Sequence, residues 1–195
     1  MRAHKSDMKQ LNRNAGFSLL ELLIAVAIMA VLIGASLTTY LVVSKSNVKK
    51  ASGAINDTLT LARERSKTIA AEEWNATIEA SGDKVVVKLV KIVKDDEKIL
   101  TESVLDEQEL PSNVDVKIVD RNGVTRFIGN KSGEYKKVSI VFETMTGAVK
   151  SVYYNGDRSD KMDISNGKMQ IISYYGDKKS SSISLFFVTG KHMID

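Results

Sequence analysis

The chain has 195 residues, a net charge of +4 and no cysteine. Disulfide scaffolds and thiolate metal sites are therefore excluded. Arg2, Lys5, Lys9 and Arg13, set against Asp7, place +3 of that charge in the first 16 residues and leave +1 for the rest, so the body of the chain has no bulk electrostatic case for binding nucleic acid.

Residues 1–16 are polar and basic, with no apolar period. From Leu22 to Val43 there is no charged residue. A helix rises 1.5 Å per residue, so this run reaches ~33 Å, enough for a bilayer core of ~30 Å. It is apolar on every face, which predicts burial in lipid or in an all-helical bundle rather than on a surface. Its length exceeds the h-region of a secretory signal, and Glu21 interrupts its start. A small-residue cleavage site at Gly34-Ala35-Ser36 would cut inside the span. Lys45, Lys49 and Lys50 follow the span closely, so the positive-inside asymmetry is weak. An ionisable residue at the mouth of a span, here Glu21, is a functional-site hypothesis by default. The plainer reading is a carboxylate that snorkels to the interface.

The helix is predicted to continue to about residue 73 and to change character near Ser44. Val48, Ile55, Ala62 and Ile69 recur every seven residues, with Ala51, Leu59 and Ser66 beside them. Lys49, Lys50, Asp57, Arg63, Glu64 and Lys67 take the other face, which predicts an amphipathic helix laid on a sheet. After Trp74 the period becomes two. Strands are predicted over 77–80, 84–94, 98–105, 114–119, 125–128, 137–143, 148–154, 168–174 and 182–188. Gly82-Asp83, Asn122-Gly123, Thr146-Gly147, Asn155-Gly156 and Asn166-Gly167 mark the turns. The strand over 84–94 is apolar on both faces and is expected to be central, with the helix covering one side. The fold class is α+β: one long N-terminal helix, transmembrane in its first half and amphipathic in its second, packed on an antiparallel β-sheet or split sheets.

The segment Gly16-Phe17-Ser18-Leu19-Leu20-Glu21-Leu22-Leu23, behind a basic leader and ahead of an apolar span, resembles the N-terminal signature of type IV pilins and pseudopilins. The resemblance implies a leader, residues 1–16, cut by prepilin peptidase between Gly16 and Phe17. It further implies N-methylation of Phe17, a filament core built from residues 17–43, and a head formed by residues 44–195. Ser18 stands where that family more commonly has Thr, and the span lacks the proline of many major pilins. Lacking cysteine, the chain also departs from the many major pilins that close a C-terminal disulfide loop.

A looser likeness covers much of residues 60–190. Leu61-Ala62-Arg63 with Ser66, Leu110-Pro111-Ser112-Asn113-Val114, Ile140-Val141-Phe142 with Gly147, and Ile183 to Gly190 resemble the GspH/FimT group of minor subunits. Asn113 replaces the usual Gly there.

The resemblance gives Phe17 and Glu21 an assembly role. Cleavage would free an α-amine at Phe17, ~6 Å along the helix axis from residue 21. The Glu21 carboxylate of one subunit would then pair with the Phe17 ammonium of a neighbour, a partner that does not exist before cleavage. Ala25, Ala27, Ala30, Gly34 and Ala35 would let the helices approach closely.

No catalytic set emerges. His4 lies in the leader and His192 near the other end, and no phosphate-loop or zinc-protease motif is present. Asp157, Asp160 and Asp163 do not have EF-hand spacing and read as a solvated loop, so no metal and no cofactor is expected. The resemblance therefore implies a structural subunit, a minor pilin or pseudopilin, of a type IV pilus or of a type II secretion or competence pseudopilus. Its partners would be prepilin peptidase, other pilin subunits, the cytoplasmic-membrane assembly platform and lipid, with nucleic acid only in a competence pilus. It would be stored in the cytoplasmic membrane as a single-pass protein with its C-terminal domain outside. The alternative is a single-pass anchored binding or adhesion domain that never polymerises.

Overall fold

A computed structural model describes residues 17–69, 72–95, 98–129, 135–165, 167–176 and 179–195. The chain divides after Leu41 into two compact units. Helix α1 runs Leu19–Thr68. Its apolar first part is exposed at every residue up to Val43, and α1 is long and apolar enough to cross a membrane.

From Ser44 the helix buries one stripe: Ser44, Val48, Ala51, Ser52, Ile55, Thr58, Leu59, Ala62 and Ser66. The spacings of three, four and seven put these residues on one side of a 3.6-residue helix. Small residues in the stripe let backbone approach sheet, while Ile55 and Leu59 fill the space between. Arg65 and Lys67 occupy the last turn, where cations complement the helix dipole. The Ser66 carbonyl, left without a helical donor, accepts the Met145 N–H at 3.0 Å.

The head contains two antiparallel sheets. The first has the order β3-β2-β1-β6-β7-β8 and the second β11-β10-β9-β4-β5. The strands are β1 Glu72–Ser81, β2 Lys84–Asp95, β3 Lys98–Glu109, β4 Asp115–Val119, β5 Thr125–Ile128 and β6 Lys137–Phe142, then β7 Val149–Tyr154, β8 Asp157–Lys161, β9 Lys168–Tyr175, β10 Lys179–Phe186 and β11 His192–Ile194. Ala76 sits opposite Leu89 on one side and Ile140 on the other, while Ile171 sits opposite Ile183 and Ile118. These rows, with the helix stripe, belong to one buried cluster. Arg126 of β5 stacks 4.8 Å over the Tyr154 ring of β7 and pairs with Asp120 at 3.2 Å, which ties the second sheet to the first. Burial, working against the nearby Arg126 charge, pushes the Tyr154 hydroxyl up to about 12.

The structure corrects five expectations. The helix stops at Thr68 rather than near 73, and Glu72, Glu73 and Trp74 belong to β1. Ala70 to Glu73 are good helix formers, but Lys91 of β2 pairs with Glu72, and Lys94, Lys150 and Arg158 surround Glu73. Those partners are remote in sequence, and local propensity does not register them. The acidic Asp106–Glu109 stretch extends β3 instead of ending it, because Lys84 and Lys88 on β2 receive Glu109 and Glu107. Strand β2 lies next to the edge rather than at the centre, although Val85, Val87 and Leu89 do join the helix-covered core. The last long strand, expected over 182–188, instead spans Lys179–Phe186 and turns at 187–189. Asp157 and Asp160 lie on the edge strand β8, where the two-residue turn Asn155-Gly156 has both φ angles positive, 51° and 74°. That is the backbone of a tight hairpin, and it launches a strand too polar to be read as one.

Candidate functional site

The chemistry-bearing end of the first unit is the start of α1. Ser18 is the N-cap: its Oγ accepts the Glu21 N–H at 3.1 Å, and its own N–H reaches the Glu21 Oε2 at 3.4 Å. These reciprocal bonds form a capping box, Ser-x-x-Glu, which satisfies two donors that a helix start otherwise leaves open. Its signal is local, Ser18 followed three residues later by Glu21, and is separate from the comparison of Ser18 with the commoner Thr. Phe17 stands outside the helix and is 86% exposed. Gly16 and the leader lie outside the described residues.

Phe17, the residue after the scissile bond that the resemblance implies, thus lies ahead of the N-cap and outside the helix. Cleavage there would leave the capping box whole and place an amine one residue before it. Glu21 already has a partner within its own chain, so any pairing with a neighbour must compete with that local bond.

Further along the span, polar side chains are satisfied by their own helix. Ser36 Oγ donates to the Leu32 carbonyl at 2.8 Å, and Thr38 and Thr39 donate to the Ala35 carbonyl at 2.9 and 3.0 Å. Such back-bonding removes the cost of a bare hydroxyl in hydrocarbon. Ala25, Ala27, Ala30, Gly34 and Ala35 are all exposed, and a Cβ built on Gly34 meets nothing within 4 Å.

In the head, Arg63, Gly147 and Gly190 of the looser likeness come together. Ala62 and Ser66 are fully buried, and Arg63 Nε donates to the Thr189 carbonyl at 3.2 Å. Gly190, at φ +61°, would place a Cβ 1.8 Å from the Gly147 carbonyl oxygen, and Gly147, at φ +68°, would place one 2.8 Å from Lys67 Cε. Two distant glycines therefore meet against the helix; at Gly190 a side chain would strike backbone, whereas at Gly147 the left-handed φ is the obstacle, since the Lys67 side chain can move. Asn113 adopts φ 66°, the left-handed conformation that Asn accepts when Gly is absent.

Asp157, on β8, and Asp163 are both engaged by local hydrogen bonds. Asp157 and Asp163 each accept the backbone N–H and hydroxyl of a serine two residues on. Those bonds hold both carboxyls below the usual aspartate range. Among the described residues no group of three His, Asp or Glu could hold an ion.

The first unit thus joins a capped, charged first turn to an exposed apolar helix long enough to cross a membrane. Residues 11–37 match the prokaryotic N-terminal methylation motif. The match and the apolar helix together support a type IV pilin-like chain, processed by prepilin peptidase, anchored in a membrane and assembled with other pilin subunits. No curated protein and no solved structure matches the chain.

Proposed function

We propose that this chain is a minor pilin or pseudopilin, stored in the cytoplasmic membrane with its head outside and drawn into a type IV pilus or a secretion or competence pseudopilus. Residues 1–16 are its leader, 17–43 its span and filament core, and 44–195 its head. Prepilin peptidase cuts between Gly16 and Phe17, Phe17 is methylated, and Glu21 receives the Phe17 ammonium of a neighbouring subunit during assembly. The observation that carries this reading is the methylation motif over residues 11–37, running straight into an exposed apolar helix. Support for the minor, GspH/FimT-like subgroup comes from the physical roles now visible at Arg63, Asn113, Gly147 and Gly190.

Shearing tests the proposal. Filaments sheared from cells that make the peptidase and assembly platform are expected to contain this chain, and cells lacking the peptidase are expected to keep it in the membrane. Equal retention in the membrane of both strains would favour a fixed anchor over a filament subunit.

A further inference from the structure

The head carries two exposed surfaces of opposite charge, and each has an apolar centre. One is an open cleft of about 760 Å³ at the end of the second sheet, walled by Arg121, Lys168, Lys191, Phe186, Val188 and Met193. Among the described residues no Asp or Glu lines it. Val188 is 71% and Met193 54% exposed. Lys168 lies 5.8 Å over the Phe186 ring, and among the described residues no ion pair uses Lys168 or Lys191. Arg121 shares its charge with Asp163. The cleft adjoins β11, whose outer edge has no strand beside it.

The other surface is β3, the free edge of the first sheet. It carries Glu102, Asp106, Glu107 and Glu109. Lys88 and Lys84 partly answer the last two, but among the described residues no ion pair uses Glu102 or Asp106. The ladder from β2 shifts register between Leu89 and Val90, which face Asp106 and Val104, so Leu105 is the extra residue of a bulge and lacks a partner. It is 54% exposed, beside Val104 at 50%. Bulges re-aim side chains, and this one presents an aliphatic knob among acids.

We propose that the acidic β3 edge of one copy of this chain docks in the basic cleft of a second copy, with Leu105 entering between Val188 and Met193. Acids repel two β3 edges from each other, which removes the symmetric alternative and leaves a head-to-tail contact. A head-to-tail contact leaves one surface of each kind free at the ends, so it can repeat from copy to copy, closing into a ring or running on as the rotation dictates. The inference rests on the filament reading only for why the contact repeats.

The cysteine-free chain makes the test direct. Full-length copies carrying Leu105→Cys and Val188→Cys, with different tags, are produced together in membranes and treated with oxidant or a short bismaleimide. The expected product contains both tags. Its yield should fall about tenfold when the cleft copy also carries Lys168→Glu and Lys191→Glu, a like-charge clash, and return when the other copy carries Glu102→Lys and Asp106→Lys. A yield no greater than that of Leu105→Cys with Val124→Cys, an exposed control, overturns the proposal. So does cleft-dependent binding of a single-stranded oligonucleotide or of phosphatidylglycerol vesicles without the cross-link. N-terminal mass from the same membranes reads processing separately. A processed chain without cross-link removes the docking and leaves the filament reading, whereas an unprocessed chain with cross-link does the reverse.

Discussion

Glutamine at position 21 separates two roles that alanine removes together. In the structure Glu21 closes a capping box with Ser18. Glutamine can keep both bonds, because the box needs an acceptor at that position and not a charge. Glu21→Gln should therefore cost the helix only its acid–dipole term, ~0.3–1 kcal/mol. Glu21→Ala also leaves the Ser18 N–H bare, a further ~1 kcal/mol by analogy with lost caps. Neither change should prevent insertion or cleavage, since Phe17, the residue after the scissile bond, lies outside the helix. The intersubunit pair is larger. Leaving a neighbour's Phe17 ammonium unpaired in an apolar filament core costs ~3–5 kcal/mol, and 1.4 kcal/mol is a factor of ten. Glu21→Gln should thus enter filaments at least about a hundredfold less than wild type. Competition in cells that also make the wild-type chain, read as the mutant-to-wild-type peptide ratio in sheared filaments over that in membranes, measures this. If Glu21→Gln incorporates normally while Glu21→Ala does not, the residue acts as a cap and the charge-pair reasoning is refuted. Normal incorporation of both refutes any assembly role.

Three further outcomes follow from the head. Gly190→Ala forces a side chain onto the Gly147 carbonyl at a left-handed backbone position, so it should destabilise by well over the ~1–2 kcal/mol of the backbone term alone; urea unfolding followed by the single buried Trp74 checks it. Ile55→Ala empties a fully buried site in the helix stripe and should cost ~2–5 kcal/mol by the same assay. Glu73 gives a pH signature. Its burial favours the neutral form, but the Lys94 hydrogen bond and the charges of Lys94, Arg158 and Lys150 outweigh burial and hold its carboxyl below the ordinary 4.5. A depressed folded value stabilises at pH above the unfolded value and is lost as pH falls through the folded one. Glu73→Gln should therefore be less stable at pH 7 by ~1.5–3 kcal/mol, with the gap to wild type closing below pH 4.5; a gap that persists at pH 3 would contradict the assignment.

What the sequence made legible was what is periodic. The seven-residue spacing of Val48, Ile55 and Ala62 named the buried helix face, and the period of two placed strands where β4, β5, β6, β7 and β9 lie. Misreadings fell where distant partners decide the matter. Glu72 and Glu73 look helical until Lys91, Lys94 and Arg158 come beside them. Strands β8 and β11 carry little apolar pattern, and each is held at a sheet edge by its hairpin neighbour. At the candidate site, Phe17 and Glu21 were reached by motif, whereas the Ser18 cap needed only the local rule. The meeting of Gly147 with Gly190 joins residues 43 positions apart, a relation that no local pattern encodes.

The central claim is processing at one bond. Intact-mass and N-terminal mass spectrometry of the chain, produced with and without prepilin peptidase, tests it most directly. The account predicts a peptidase-dependent loss of residues 1–16 and, where methylation activity is present, a methylated Phe17. An uncut N-terminus beside an active, matched peptidase would contradict it, as would cleavage near Ala35, which would release the head and remove Glu21 with the leader.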